Sequence, residues 1–216
     1  PVVNRRHFLK LNFYLSLAAA SRQANAVQFL TEPQPEQEVE LTSFIRIDQD
    51  GSVTLMINQQ EMGQGVRTAI AQLICEELDY PLDRVTLLQA PAHPDRFGRQ
   101  LTGGSGAIRR SWSAMRTVGA AARQMLLEAA AKIHKLDVKQ LSAEDGYVFH
   151  GPSNMRIPYG ELVTVAAELP IPASPTLKDK SAFKYIGKGQ ANLEIEALVN
   201  GDMKFAGDIR FPGMKH

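Results

Sequence analysis

The sequence predicts an α+β fold in which a mixed sheet carries helices packed on one face. Three observations support this. Ile45 and Ile47 alternate with Arg46 and Asp48, and after Asp50-Gly51 the residues Val53, Leu55 and Ile57 alternate again, as in a hairpin. From Val66 the period changes, and Ile70, Leu73, Ile74 and Leu78 share one helical face until Tyr80-Pro81 ends it. Met115, Val118, Ala122, Met125, Ala129 and Ile133 recur at helical spacing, making 113–136 the strongest helix of the chain.

The remaining elements follow in order. Residues 84–89 read as a strand with Val85 and Leu87 inward, and 90–106 as a long irregular loop of the kind that is commonly functional. Asp145-Gly146 opens a short strand, 147–150, and Pro158-Tyr159 opens a helix that runs to Leu169. Residues 198–211 read as turn and strand around Asn200-Gly201. The chain divides into a leader (1–30), a Glu- and Pro-rich linker (31–40), a folded segment (41–169), a Pro-rich linker (170–182) and the start of a further domain (183–216).

With 216 residues, 44% hydrophobic and 22% charged, the composition is that of an ordinary globular protein, and a net charge of +1 gives no nucleic-acid footprint. Cys75 is the sole cysteine, which excludes an internal disulfide, a four-cysteine iron–sulfur cluster and a cysteine zinc site; on its helix it reads as a packed thiol. The five histidines show no metal-ligand spacing. In the leader, Asn4-Arg5-Arg6-His7-Phe8-Leu9-Lys10 precedes a short apolar run and Ala24-Asn25-Ala26, a pattern that resembles a twin-arginine export signal and predicts a periplasmic protein without a stable membrane span.

Two glycine-rich segments carry the chemistry. Glu61-Met62-Gly63-Gln64-Gly65-Val66-Arg67-Thr68 opens a helix directly after a strand, so the free amides of its first turn are expected to point at an anion. Thr102-Gly103-Gly104-Ser105-Gly106 precedes the longest helix. Two such loops suggest one large cofactor with several polar groups. Neither is followed by Gly-Lys-Ser/Thr, and Thr68 stands where a dinucleotide fingerprint needs glycine. Glu76 and Glu77 read as a solvated helix face. Arg109, Arg110 and Arg116 read as a solvated face, or as contacts to a phosphate or an acidic partner; Trp112 reads as a packing anchor.

These motifs, in this order, resemble the molybdopterin-binding large subunits of the xanthine oxidase superfamily, nearest to the isoquinoline 1-oxidoreductase beta-chain and periplasmic aldehyde dehydrogenase branch. The residues that carry the resemblance are the Arg-Arg-His-Phe-Leu-Lys leader, Glu61 to Gly65 with Thr68 and Gln72, Thr102 to Ser105 with Ser111-Trp112, and Asp208 to Met214. It implies that Gly63, Gln64 and Gly65, with Thr102, Gly103, Gly104, Ser105 and Gly106, contact the molybdenum cofactor, in its cytosine dinucleotide form by analogy with bacterial relatives. It implies hydroxylation of an aldehyde or N-heteroaromatic carbon with oxygen drawn from water. The implied partners are a [2Fe-2S] small subunit, the rest of the large subunit and often a cytochrome. The family's carboxylate base lies near its far C-terminus, so no catalytic residue and no metal ligand is assigned. The expectation is a fragment or split subunit whose residues from 183 begin a hammerhead-like α/β domain; the alternative is a non-catalytic remnant or interaction module that keeps the fold without metal.

Overall fold

A computed structural model describes residues 38–215. The leader reading lies outside the described residues. The first strand, β1 (Glu38–Thr42), begins inside the stretch expected as a linker and pairs antiparallel with β2 (Ile45–Asp48). β2 pairs antiparallel with β3 (Val53–Ile57) through the Asp50-Gly51 turn, where the Ser52 amide donates to Asp50 Oδ1 at 2.8 Å. Helix α1 (Val66–Leu78) then crosses over to β4 (Val85–Gln89), which lies parallel to β3 with Val53 opposite Val85 and Ile57 opposite Gln89. The result is a mixed sheet of order β1-β2-β3-β4.

Alternation fixes which face is buried. Ile45, Ile47, Val53, Leu55 and Ile57 turn to one side and meet Ile70, Ile74 and Leu78 of α1 in the main core. The long helix α3 (Ala107–His134) adds Ala122, Met125, Leu126 and Ala129 to the same core, and α4 (Tyr159–Ala167) adds Leu162, Val163 and Ala166. Its alanines let α3 lie close to α1. On the opposite face Met56 packs with Ala90 and Phe97, the latter from α2 (Pro94–Phe97), a single turn inside the segment expected to be wholly irregular. Phe44 meets Phe97 edge-on, with ring centroids 5.6 Å apart.

Three further element readings need correction. Helix α3 begins at Ala107 rather than 113, because Arg109 and Arg110 lie on its exposed side and hide the period in its first turns. The strand at 147–150 is the centre of a separate three-stranded sheet, β5 (Leu141–Glu144), β6 (Tyr147–His150) and β7 (Met155–Pro158); four-residue strands carry too little alternation to declare themselves. Residues 198–211 contain no strand. A short helix α5 (Ile195–Asn200) ends on Gly201, and a 3₁₀ turn follows at Ala206–Asp208. The stretch expected to open a second domain thus holds one short helix and turns, and its residues Lys184, Tyr185, Ile186, Asn192 and Leu193 lie against α1 or the core.

The largest departure concerns Glu76 and Glu77, which are fully buried rather than solvated. Residues 176–194 form a strap running along α1 from its C-terminal to its N-terminal end. Glu77 Oε2 accepts the Lys178 amide at 2.9 Å, and Glu76 accepts those of Lys184, Tyr185 and Ile186 at 2.9, 2.7 and 3.0 Å. Arg123 donates to the Thr176 carbonyl at 2.8 Å, and Lys178 pairs with Asp79. Burial pushes the Glu76 carboxyl up, but the amides of residues 184–186 and the Lys178 ammonium together outweigh it and hold it below its usual value near 4.5. A depressed folded-state pKa stabilises the fold above the unfolded value, and that contribution is lost as pH falls through the folded one. The urea midpoint is expected to fall between about pH 5 and pH 3, and Glu76→Gln to flatten that decline; equal slopes for both proteins would refute this assignment. Cys75 is a packed thiol, fully buried, and burial pushes it well above its ordinary range, which disfavours the thiolate.

Candidate functional site

The two glycine-rich loops meet. Gln64 and Gly65 from the first, and Thr102, Gly103, Gly104, Ser105 and Gly106 from the second, line one cleft of about 500 Å³. Met62, Val66, Ala69, Ala107 and Ile108 complete its wall. Gly63 does not line it; it sits on the exposed outer turn of its loop. Helices α1 and α3, which pack side by side, therefore open onto the same space.

Convergence has a specific cause that sequence reading missed. Asn58, Gln59 and Gln60 follow β3 directly, and their side-chain amides donate to the carbonyls of Phe97, Arg99 and Gln100 at 2.9, 3.0 and 2.9 Å. Gln60 also accepts from Thr102, its Oε1 from the amide at 3.2 Å and its carbonyl from Oγ1 at 3.1 Å. Three consecutive amide side chains thus stitch the end of β3, and the first loop with it, to the second loop. The available signal was that run of amides between a strand and a glycine motif.

The first loop is not the open anion cradle expected. Its amides are taken by its own side chains. Gly63 and Gly65 donate to Glu61 Oε1 at 2.9 and 2.8 Å, Arg67 donates to Glu61 Oε2 at 3.2 Å, and Met62 donates to Gln64 Oε1 at 2.7 Å. Burial raises the Glu61 carboxyl and the amides of Gly65, Arg67 and Gly63 lower it, with the lowering dominant, so it stays an anion. Glu61 thus occupies the position sequence reading gave to a ligand's charge. Gly65, at φ +77°, is the left-handed residue that turns the loop into α1.

The second loop is different. The amides of Gly103, Gly104 and Ser105 donate to no partner among the described residues; that of Gly106 turns toward the Gly103 carbonyl across the Gly104-Ser105 turn, and Gly106 caps α3 without a side-chain acceptor. The 28-residue helix thus brings its N-terminal, positive dipole end to the cleft. Gly104 (φ +60°) and Ser105 (φ +49°) lie in left-handed conformation, and a Cβ at Gly103 or Gly104 would meet nothing within 4 Å. Arg110 holds this loop from behind, donating to the Gly103 carbonyl at 3.0 Å. The arginine cluster is thus divided among different tasks. Arg109 is exposed, while Arg116 is buried against Glu77, between the rings of Trp112 and Phe183. Among the described residues no group of His, Cys, Asp or Glu could hold a metal ion, and no helix is long and apolar enough to cross a membrane.

Comparison with known proteins identifies the family. Residues 17–198 match the family model described as molybdopterin cofactor-binding domain. The chain is 30% identical over 210 residues to the beta chain of isoquinoline 1-oxidoreductase from Brevundimonas diminuta, covering 79% of this chain and 27% of that one. It is 29% identical over 182 residues to a nicotinate dehydrogenase subunit of Pseudomonas putida (83% and 15%). It is 28% identical over 187 residues to a membrane-bound aldehyde dehydrogenase (pyrroloquinoline-quinone) of Gluconacetobacter polyoxogenes (81% and 23%). The chain spans between 15% and 27% of the length of these relatives.

Proposed function

Since this chain belongs to the molybdopterin cofactor-binding domain family, we propose that the 62–66 and 102–108 segments hold the molybdenum cofactor of a molybdenum hydroxylase large subunit of the xanthine oxidase type. The observation that carries this is the cleft between the two loops, with the amides of Gly103, Gly104 and Ser105 on one wall and without partners among the described residues. The donor chemistry fits: a pterin with a phosphate-bearing tail needs many backbone donors, and small residues let it approach them. When bound, the cofactor supplies the oxidation of an aldehyde or N-heteroaromatic carbon with oxygen from water. The chain's own residues bind and orient. Gly103, Gly104 and Ser105 offer amides to the anionic part, beside the positive end of α3. Gln64 and Gly65 form the facing wall, and Glu61 keeps that wall rigid without itself meeting the ligand.

A cytosine dinucleotide tail, a [2Fe-2S] subunit and a cytochrome as electron acceptors, the remaining part of the large subunit, and export by the twin-arginine route belong to the same proposal. That two relatives are named as subunits of oxidoreductases supports the presence of further subunits, and Arg5-Arg6 supports the export route; the cytosine tail, the [2Fe-2S] cluster and the cytochrome follow from the family resemblance alone.

The test is metal and pterin analysis of protein co-expressed with its neighbouring subunits in a host that makes the cofactor. Gly104→Val places a β-branched side chain in a left-handed conformation and into the cleft, and Gln64→Ala removes the side chain of the facing wall. Together they are expected to lower molybdenum content by roughly tenfold or more, equivalent to about 1.4 kcal/mol or more of lost binding. Wild-type protein that never retains molybdenum would favour the reading as an interaction module.

A further inference from the structure

We propose that Asn192 and Glu194 are positioning residues for the Glu61–Gly65 loop, holding it through Thr68 and Arg67 from the far end of the strap; the inference rests on the cofactor reading only in naming what the loop is positioned for. Thr68 is buried in the first turn of α1, where its Oγ1 donates to Asn192 Oδ1 at 3.1 Å and accepts the Leu193 amide at 3.0 Å. Asn192 Oδ1 also accepts the Glu194 amide at 2.9 Å, so its side chain is fixed from both sides. A Cβ built on Gly65 would lie 3.7 Å from Asn192 Nδ2, which makes Asn192 the floor beneath the residue that opens the helix. Arg67 supplies the second link. Its Nε stands 3.2 Å from Glu194 Oε2 as an ion pair without hydrogen-bond geometry, and its Nη2 donates to the Leu87 carbonyl at 2.6 Å. The backbone amide of the same residue donates to Glu61, the carboxylate that gathers Gly63 and Gly65.

The strap can hold the loop because it is itself anchored. Glu76 and Glu77 would lose four amide partners if residues 178–186 left α1, and two buried carboxylates would be left short of donors. The second wall of the cleft depends on Arg110 and Gln60 instead. Loosening the strap therefore moves one wall of the cleft and not the other.

Thr68→Val keeps the buried shape and removes the hydroxyl, and Asn192→Ala removes the acceptor; Thr68→Ser and Asn192→Asp retain both. Amide hydrogen exchange at Gly63, Gly65 and Arg67 is compared with that of β2 and β3 in the purified protein. Pterin content is read by fluorescence after oxidative release. The first pair is expected to exchange roughly tenfold faster at the three loop amides, with sheet amides unchanged, and to carry several-fold less pterin. The second pair is expected to behave as wild type. Loop amides at wild-type rates in both Thr68→Val and Asn192→Ala would overturn the inference, and so would loop and sheet amides accelerating together. Pterin lost from Gln64→Ala/Gly104→Val but kept in both strap variants would overturn it and spare the cofactor reading. Pterin absent from every version would overturn the cofactor reading alone, because loop exchange still decides the positioning.

Discussion

Arg116→Met is expected to destabilise the fold by about 3 kcal/mol, the cost of leaving a buried carboxylate short of its cation. Glu77 is fully buried, and Arg116 reaches its Oε1 through Nε at 2.8 Å and Nη2 at 2.6 Å. The same Nη2 donates to the Lys178 carbonyl at 2.9 Å, so one guanidinium holds α1, α3 and the strap together. Methionine would fill the space beside Trp112 and Phe183 but supply no charge. Arg123 remains, at 3.7 Å from Glu77, too far to form the lost hydrogen bonds. The double variant Glu77→Leu/Arg116→Met is expected to be more stable than Arg116→Met alone, because no unpaired charge stays inside. Urea unfolding of the three proteins measures both differences. A single variant within about 0.5 kcal/mol of wild type would mean that the ion pair is solvated after all.

That ion pair also marks where sequence reading stops. The hairpin at 45–57, the helix from Val66 and the pairing of two glycine loops were legible because alternation, helical period and glycine placement are local signals. The acidic residues of α1 were not. Their partners lie 39 residues away at Arg116 and about a hundred residues away in the strap, and no local period encodes a carboxylate met by backbone amides from so far along the chain. Charge next to charge on a helix is ordinarily solvated, so the ordinary reading failed where tertiary contacts override it. In the cleft, the locations of seven of the eight expected residues were legible, but the division of labour was not. Both loops have small residues ahead of a helix; only Glu61, four residues before Gly65, turns one of them in on itself. The Asn58-Gln59-Gln60 run was passed over because polar residues at a strand end read as solvent-facing, although the first two are buried.

Gly119→Ala is expected to destabilise the protein by about 2 kcal/mol, although alanine is favoured over glycine in a helix interior by about 1 kcal/mol. Gly119 is buried midway along α3, and a Cβ there would stand 2.4 Å from the Ile74 carbonyl oxygen and 3.0 Å from Glu77 Cβ. The first of these is backbone of α1 and cannot rotate away, so the two helices must separate. For a chain of this size the melting temperature is expected to fall by roughly 4–8 °C. The effect should also reach the cleft. Gly65 begins α1 and Gly106 caps α3, and their loops form its facing walls, so a spacing error between the helices becomes a spacing error between the walls. Gly119→Ala is therefore expected to lose molybdenum at a temperature where it remains folded, which circular dichroism and metal analysis on one sample can separate. Full metal content in a folded but destabilised Gly119→Ala protein would show that the loops keep their distance without help from the helix contact. The Asn58–Gln60 stitching would then be what holds the cleft.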